Sequence, residues 1–479
     1  MKIFLYISFF IFYSCIDESS NPLLNSRQSY VENLNMSGST RGLEIVENVT
    51  AEDFHYFPIN HSCTLGYDIV EPFGEYDGIT GPEDCNGFWC QWNDESSTCS
   101  YKMKDLLIMS NEGDGLFIYE IIEDPSFSLE RVYFEDEIES AEDEFDEPDL
   151  ELRDVFYSEN HNTIYMLDKF EKIYYLYLPH ALSHEQENIC SSVEDDEFQY
   201  IDCSAVLKNA TQFSINENNP ENPNDDFGFE MFVLYKHNEN TNGDLDKGSE
   251  LRLAYYEDDP NQSVCQNGFL NYLYKTPFQT SKLFSYDVSS IYFNNNRLFI
   301  ANPNLNTCEN GVSTNQLSCE EDTSCGNGNN ECEWYDYYSV DMYLYNPADR
   351  LLGLGDSQIS SSKINTVFAY GDYLLTGMKD NGCYITLLNA DGISDENNHK
   401  LHIGDSFSVY DINYDEENNM LVLSSGSNGV LLYSWDGLSL YTSLVAHISS
   451  SYAYTAKIFN SNKVIVGTVN GIEVFNLGD

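Results

Sequence analysis

One nine-residue segment carries oxygen side chains at the spacing that a calcium loop needs. It spans residues 238–246, reads NENTNGDLD, and has a glycine at its sixth position for a sharp turn. Its oxygen-bearing side chains at alternating positions are Asn238, Asn240, Asn242, Asp244 and Asp246. Calcium prefers oxygen ligands, and few formal charges mean weak binding. The segment predicts a weak Ca²⁺ site, and a plain Asn- and Gly-rich hairpin turn is the alternative.

The residues on both sides of this segment read as β-strands. The flanks are 229–235 and 250–256, and neither has helical periodicity. A calcium loop that joins strands resembles the hairpin calcium loops of integrin-type propeller repeats. It differs from them in having Asn at the first three ligand positions. The resemblance implies Ca²⁺ as a cofactor.

Cysteines are the second group of residues that could do chemistry. The chain has 13, and beyond Cys15 they are Cys63, Cys85, Cys90, Cys99, Cys190, Cys203, Cys265, Cys308, Cys319, Cys325, Cys332 and Cys383. The number beyond Cys15 is even, and if the chain is exported, as its first residues predict below, this favours disulfides, here six, most of them within local clusters. Zinc is the alternative, but no Cys-x₂-Cys pair occurs. The connectivity stays open.

Motifs of the common catalytic sites are absent from the sequence. There is no Gly-x-Ser-x-Gly, no Gly-Lys-Ser/Thr phosphate loop and no His-Glu-x-x-His. Among nine histidines, His399 and His402 lie closest together in sequence, three residues apart. We therefore expect no enzymatic activity, although an active site assembled from separate repeats needs no local motif.

Composition limits the partners. The chain has 22 Lys and Arg against 80 Asp and Glu, a formal net charge of −58. Such a surface repels nucleic acid and anionic lipid, so we expect neither as a partner. Hydrophobic residues make up 42% and aromatic residues 14%, which suits a folded, β-rich chain.

The first residues predict export. A single Lys2 precedes an apolar run over 3–13, and Ser14 precedes Cys15. Residues 12–15 (FYSC) resemble the lipobox of bacterial lipoproteins, in which the cysteine is acylated and becomes the new N-terminus. The resemblance implies lipidation of Cys15 and a location at the outer membrane or cell surface. An ordinary secretory signal is the alternative.

A three-strand unit recurs along the rest of the chain. It has two alternating strands around a polar turn, then a third strand that often opens with Asn-Gly. The clearest copies are 364–388, 409–435 and 454–475, and diverged copies are 105–121, 154–178, 211–256 and 288–345. The aligned Gly382, Gly429 and Gly471 lie 47 and 42 residues apart, a blade-like period. We predict an all-β fold, a β-propeller of about seven four-stranded blades with disulfide-rich loop inserts; six and eight blades are the alternatives.

The last copy supplies three strands, so the ring needs an N-terminal strand to close it. The candidate clasp is LEIV at 43–46, which would pair with 472–475. The predicted organisation is a signal peptide at 1–14, a tether with the clasp at 15–60, a cysteine-rich segment at 61–103 and the propeller at 104–479.

Two of the last three repeat copies, 364–388 and 454–475, also resemble a known family. GDYL at 371–374 and NKVI at 462–465, each followed by Asn-Gly and an aliphatic strand, resemble the LVIVD-type repeats of bacterial surface propellers. The resemblance implies a fold and a surface location rather than an activity. The leading hypothesis is a non-enzymatic surface platform that binds an unknown extracellular protein or glycan. The alternatives are a propeller hydrolase or lyase that acts on extracellular polymer, and a structural subunit of an envelope complex.

Overall fold

The structure is a computed structural model of the chain built almost entirely from β-strands. It describes residues 28–50, 90–94, 96–123, 126–135, 151–159, 162–170, 173–178, 210–216, 230–237, 248–256, 273–276, 282–284, 288–308, 334–347, 351–360, 362–389, 392–394 and 399–477. Within these ranges, no helix has both the length and the apolar character that crossing a membrane requires.

Thirty strands lie in the described residues. The first fifteen are β1 (Gln28–Asn35), β2 (Thr40–Val49), β3 (Cys90–Asn93), β4 (Thr98–Tyr101), β5 (Lys104–Asn111), β6 (Gly115–Ile122), β7 (Ser128–Glu135), β8 (Leu152–Ser158), β9 (Thr163–Asp168), β10 (Ile173–Tyr177), β11 (Ala210–Asn216), β12 (Glu230–His237), β13 (Gly248–Tyr256), β14 (Leu273–Thr276) and β15 (Lys282–Phe284). The others are β16 (Ser290–Asn294), β17 (Arg297–Cys308), β18 (Trp334–Asn346), β19 (Leu351–Ser360), β20 (Ile364–Tyr370), β21 (Tyr373–Met378), β22 (Cys383–Leu387), β23 (Lys400–Ile403), β24 (Asp411–Asp415), β25 (Met420–Ser424), β26 (Val430–Trp435), β27 (Thr442–Ile448), β28 (Ala453–Phe459), β29 (Lys463–Thr468) and β30 (Gly471–Leu477).

Seven antiparallel sheets form the blades. Written from the inner strand outwards, blades 1 to 7 are β2-β5-β6-β7, β8-β9-β10, β11-β12-β13-β14 with β15 also on β13, β16-β17-β18-β19, β20-β21-β22-β23, β24-β25-β26-β27, and β28-β29-β30-β1. Blade 2 has three strands among the described residues. The inner strands of neighbouring blades lie against one another, as β2 does against both β8 and β28. The prediction of a seven-bladed propeller is confirmed.

Seven hydrophobic clusters show that the ring is closed. Each cluster draws its residues from two consecutive blades, and one cluster joins blade 7 to blade 1 through Leu43, Leu107, Ile465 and Val474. Because both faces of a blade are covered, the second strands β21 and β29 are buried along their whole length.

An N-terminal strand closes the ring, but it is not the predicted one. The outer strand of blade 7 is β1, whose Leu34 pairs with Ile472. The segment 43–46 lies instead in β2, where Leu43 pairs with Met109 in blade 1. The prediction of the clasp at 43–46 is therefore wrong in its identity, and the propeller begins at β1, well before residue 104. The repeat copy at 105–121 covers only β5 and β6, and β2 is the inner strand of that blade.

The cysteines of the described residues follow two patterns. Cys90 and Cys99 lie in the β3-β4 hairpin, are disulfide-bonded, and pack against the cluster between blades 1 and 2. Cys383 is a free thiol, fully buried between blades 5 and 6, and burial raises its pKa to about 12. The prediction that all twelve cysteines form bridges is thus wrong at Cys383, which is a core residue.

Candidate functional site: the axial channel and its mouth

The seven inner strands repeat one arrangement around the axis. Each inner strand begins at the same end of the axial channel, here called its mouth. The mouth residue of a strand is the one that directly precedes its first residue on the channel side. In blades 1 to 7 these mouth residues are Arg41, Arg153, Thr211, Ser289, Asn365, Tyr410 and Tyr454. In blades 1, 2, 3, 5 and 7 this residue is skipped in the pairing register, as in a β-bulge.

Two layers of channel residues follow the mouth. By alternation along each inner strand, the first layer, in blade order, is Gly42, Asp154, Gln212, Ser290, Thr366, Asp411 and Thr455, and the second is Glu44, Phe156, Ser214, Tyr292, Phe368, Asn413 and Lys457. The aromatic residues of the second layer also pack against the clusters between blades. The residues between the layers, such as Leu43 and Ile412, belong to the clusters between blades. Burial raises the pKa of Tyr292 most, and the charges of Glu44 and Asp411, in blades on the opposite side of the ring, raise it further. These three groups therefore lie around one axis.

Polar side chains of the inner strands also tie neighbouring blades together. Ser214 Oγ accepts a hydrogen bond from Phe293 N at 2.8 Å, and Ser290 Oγ accepts one from Val367 N at 3.2 Å. Asn413 Nδ2 donates to Ala456 O at 3.1 Å. These bonds fix the inner strands relative to one another, so the groups around the axis are held rigidly.

The charged groups of the channel lie on one side, in blades 6, 7, 1 and 2. The central contact is an ion pair between Lys457 Nζ and Glu44 Oε2 at 2.7 Å. Burial alone would lower the pKa of Lys457, but the charge and hydrogen bond of Glu44, together with the charges of Asp411 and Asp154, outweigh it and the pKa is raised. Burial raises the pKa of Glu44, and the contact with Lys457 only partly opposes this.

Asp411 is held firmly within this side. Its Oδ2 accepts hydrogen bonds from Thr455 Oγ1 at 2.7 Å and Asn413 Nδ2 at 2.6 Å, and its Oδ1 accepts one from Ile412 N at 2.9 Å. Burial nevertheless raises the pKa of Asp411. Asp411 therefore acts as a fixed acceptor that faces the axis.

Asp154 is less constrained. Within the described part of the chain, its only hydrogen bond comes from Val155 N, at 2.9 Å to Oδ1. Asp154 is exposed to the water of the channel, while the surrounding inner strands crowd its carboxyl group. Burial, followed by the charge of Asp411, raises the pKa of Asp154 to about 7. Asp154 thus exchanges its proton near neutral pH.

The mouth residues of blades 6, 7, 1 and 2 form a continuous surface, here called the mouth arc: Tyr410, Tyr454, Arg41 and Arg153. The Arg41 guanidinium lies 4.6 Å from the centre of the Tyr454 ring, and Arg41 Nε is 3.0 Å from Glu112 Oε1. Arg153 Nε approaches the same carboxylate at 3.9 Å. Glu112 therefore neutralises part of the positive charge of the arc.

Tyr452 extends the aromatic part of the mouth arc. Its ring centre is 5.9 Å from that of Tyr410 and 4.9 Å from that of Tyr454. Gly426, with a φ of +55°, lies so close that a Cβ there would be 2.7 Å from Tyr410 Cε2 and 3.0 Å from Tyr452 Cζ. The backbone of blade 6 thus packs against the rings of Tyr410 and Tyr452 and keeps this aromatic surface ordered.

The predicted metal and lipid residues belong to segments that the structure does not describe. The five calcium ligands at 238–246 and Cys15 lie outside the described residues, as do all cysteines except Cys90, Cys99, Cys308 and Cys383. The strands predicted on both sides of the calcium segment are confirmed as β12 and β13. Across the described ranges, no group of three or more His, Cys, Asp or Glu is placed to hold a metal ion.

His399, His402 and His447 lie away from the channel. His399 and His402 are at β23, and His402 Nε2 donates to Asn381 O at 2.7 Å. His447 of β27 makes the same contact with Asn428 O at 2.6 Å. Both bonds brace the Asn-Gly turn that opens the third strand of their blade. A structural role explains both histidines.

Sequence reasoning did not identify the channel residues. The available signal was the pair of residues at the start of each inner strand, Tyr410-Asp411 in blade 6 and Arg153-Asp154 in blade 2. Alignment of the seven copies at this point would have placed these side chains in one layer. The copy of blade 1 could not be aligned, because residues 51–103 separate Gly42 from β5.

Comparisons with known proteins add little to this picture. No family model matches the chain, and no curated protein matches it. Among solved structures, the chain is similar to the Dos1 propeller, with 11% identity, a TM-score of 0.44, and coverage of 94% of this chain and 95% of that one. It is also similar to the computationally designed Ika8 protein, with 8% identity, a TM-score of 0.38, and coverage of 78% and 93%. These TM-scores are too low to carry an argument, so the fold rests on strand pairing.

Proposed function

We propose that this protein is a non-enzymatic binding platform whose ligand docks at the mouth of the axial channel. The mouth arc carries the proposal, because it places two tyrosines and two arginines side by side on four adjacent blades. Tyrosine and arginine are the side chains that most often supply binding energy at interfaces. Their position on strands of a closed ring keeps them ordered before the ligand arrives, which reduces the entropy lost on binding.

The platform is tested with an array of purified extracellular matrix proteins and glycans. We expect retention of at least one probe at micromolar Kd, and a weaker interaction in Tyr410→Ala and Arg153→Ala. Tyr441→Ala is the matched control, since Tyr441 is 76% exposed and lies outside the channel. Binding that Tyr410→Ala and Arg153→Ala leave unchanged would contradict the proposal, provided both variants melt like the parent protein.

Asp154 supports a second candidate function, a hydrolase or lyase that acts on extracellular polymer. A carboxyl group with a pKa raised to about 7 can donate a proton at neutral pH, and Asp411 is a nearby second carboxyl group. An enzyme of this kind would release soluble product from a glycan of the array. Asp154→Asn would then abolish release and leave retention intact. Retention without release, in the parent protein, favours the platform.

The proposal includes export and anchoring through a lipid on Cys15. The apolar run at 3–13 and the cysteine that follows it support this assignment. Cys15→Ala should move the protein from the membrane fraction to the soluble fraction of its cell. An unchanged distribution would contradict the anchor and leave the binding platform standing.

The proposal also includes calcium as a stabilising ion at Asn238, Asn240, Asn242, Asp244 and Asp246. The oxygen side chains and Gly243 support it. We expect millimolar CaCl₂ to raise the Tm of the parent protein and to have a smaller effect on Asp244→Asn. MgCl₂ at the same concentration is the control for general screening. An equal response to both salts would argue for a plain turn.

A further inference from the structure

The mouth arc joins two kinds of chemistry in one place. Tyr410 is 39% exposed, and Tyr452 and Tyr454 continue its ring surface towards Arg41. An aromatic ring with an exposed face takes the apolar C–H face of a flat, partly polar ligand. A surface of large apolar side chains without polar neighbours would suit a lipid or an apolar peptide. The mouth arc includes two arginines, so it does not suit those ligands.

The polar groups at the arc include both donors and acceptors. Arg41 donates, and Glu112 beside it accepts. One layer deeper, Asp411 is a fixed acceptor, and Asn413 is a neighbouring amide. Hydroxyl groups both donate and accept, so a ligand with several hydroxyl groups matches this set, whereas a purely anionic or purely cationic group matches only half of it.

Charge narrows the ligand further. The chain carries a formal net charge of −58, which repels polyanions at every orientation of approach. The two guanidinium groups of the arc do not reverse this locally, because Glu112 contacts both of them and the carboxylate of Asp411 lies one layer deeper, so that two carboxylates balance two guanidinium groups. A sulfated or uronic acid polymer would thus meet long-range repulsion without a compensating basic patch. A neutral hydroxyl-rich chain meets no such penalty.

We infer that the ligand of the mouth is a neutral glycan chain, with one pyranose ring stacked on Tyr410 and the hydroxyl groups of a neighbouring ring bonded to the Arg41–Glu112 pair. This inference rests on the proposed function and names its ligand class. Beneath the mouth, Asp411 offers the next acceptor, held in place by the buried hydroxyl of Thr455.

Titration calorimetry with purified soluble oligosaccharides tests the inference. The probes are neutral hexose and N-acetylhexosamine oligomers, with heparin and alginate oligomers as polyanions. We expect at least one neutral series to bind and no polyanion to bind as tightly at physiological salt. Tyr410→Ala should weaken binding by roughly three- to tenfold, the effect of losing one aromatic contact. Tyr410→Phe should retain most of the affinity, because it keeps the ring, and Tyr441→Ala should leave the affinity unchanged.

Three results would overturn the inference. They are the absence of binding by every neutral oligomer, binding that Tyr410→Ala does not weaken, and tighter binding of a polyanion. If no glycan binds while an array protein is retained in a Tyr410-dependent way, the binding platform survives and only the ligand class fails. If neither glycan binding nor protein binding is weakened by substitutions in the mouth arc, both the binding platform and the ligand class are contradicted.

Discussion

At the scale of single residues, Asp154 links the channel to pH. Its pKa rises from 3.8 to about 7 on folding, because protein surrounds the carboxyl group and Asp411 repels its charge. Between these two values the folded protein binds more protons than the unfolded chain. Stability therefore decreases as pH rises through this interval, and the group is least favourable above pH 7.

Asp154→Asn should remove this pH dependence. The amide resembles the protonated acid, so we expect the variant to have a higher Tm than the parent protein at pH 8 and nearly the same Tm near pH 4. Thermal melts across this range measure the difference. Glu417→Gln, a change in an exposed turn, serves as the control. A variant Tm below that of the parent protein at pH 8 would show that the ionised carboxylate stabilises the fold.

The Glu44–Lys457 pair is the second residue-scale case. The two side chains meet across blades 1 and 7, and each is at most one quarter exposed, 20% and 25% respectively. Loss of one partner leaves a charge in the channel without its counter-ion. We expect Lys457→Met and Glu44→Gln each to lower stability, with the double variant recovering about 0.5–3 kcal/mol relative to the sum. Denaturant unfolding of all four proteins measures this coupling. Additive effects would mean that the pair contributes nothing.

At the scale of elements, local turns were predictable and the clasp was not. Blades 5, 6 and 7 follow from their hairpins, since Asn-Gly and a polar turn between alternating strands fix the pairing within about 30 residues. The inner strand β2 has a strong apolar signal because both neighbours bury it. The outer strand β1 reads QSYVENLN, and its Val31 and Leu34 pack against the cluster between blades 7 and 1. Polar residues outnumber the apolar ones in this strand, so its apolar alternation is weak in the sequence.

Gly471 gives a direct test of the clasp. Its φ is +111°, and a Cβ there would lie 2.1 Å from Leu34 O of β1. Gly382 and Gly429 stand in the same relation to Ile403 O and Ile448 O of the outer strands in blades 5 and 6. The clasp thus occupies the place of an ordinary fourth strand.

Gly471→Ala should push β1 away from β30 and lower the Tm of the whole propeller in a single transition. The matched control is Gly353→Ala, because a Cβ at Gly353 has no atom within 4 Å. We expect the control to melt close to the parent protein. A Gly471→Ala variant that melts like Gly353→Ala would show that β1 does not hold the ring closed.

At the scale of the whole molecule, closure creates the site. Arg41 and Lys457 are more than 400 residues apart in sequence, yet both stand beside the same axis because blade 7 meets blade 1. The residue types around the channel could be read from the sequence. Their grouping on blades 6, 7, 1 and 2 could not, since it depends on the number of blades and on the identity of the closing strand.

The net charge also acts on the whole molecule. With −58 formal charges, the folded protein repels itself more strongly than the expanded chain does, and this repulsion destabilises the compact state. Salt screens exposed charges over a distance of about 10 Å at 0.1 M. We therefore expect the Tm at pH 8 to rise between about 20 and 500 mM NaCl, within the range over which the screening length shortens.

The same series of NaCl concentrations, measured near the isoelectric point, is the internal control. At pH 4.1 the net charge is close to zero, so the self-repulsion and its response to salt should largely disappear. Scanning calorimetry at both pH values measures the two slopes. A Tm that falls with NaCl at pH 8 would mean that ion pairs such as Lys457–Glu44 and Arg41–Glu112 contribute more to stability than self-repulsion removes. Equal slopes at pH 8 and pH 4.1 would show that NaCl acts through hydration rather than through charge.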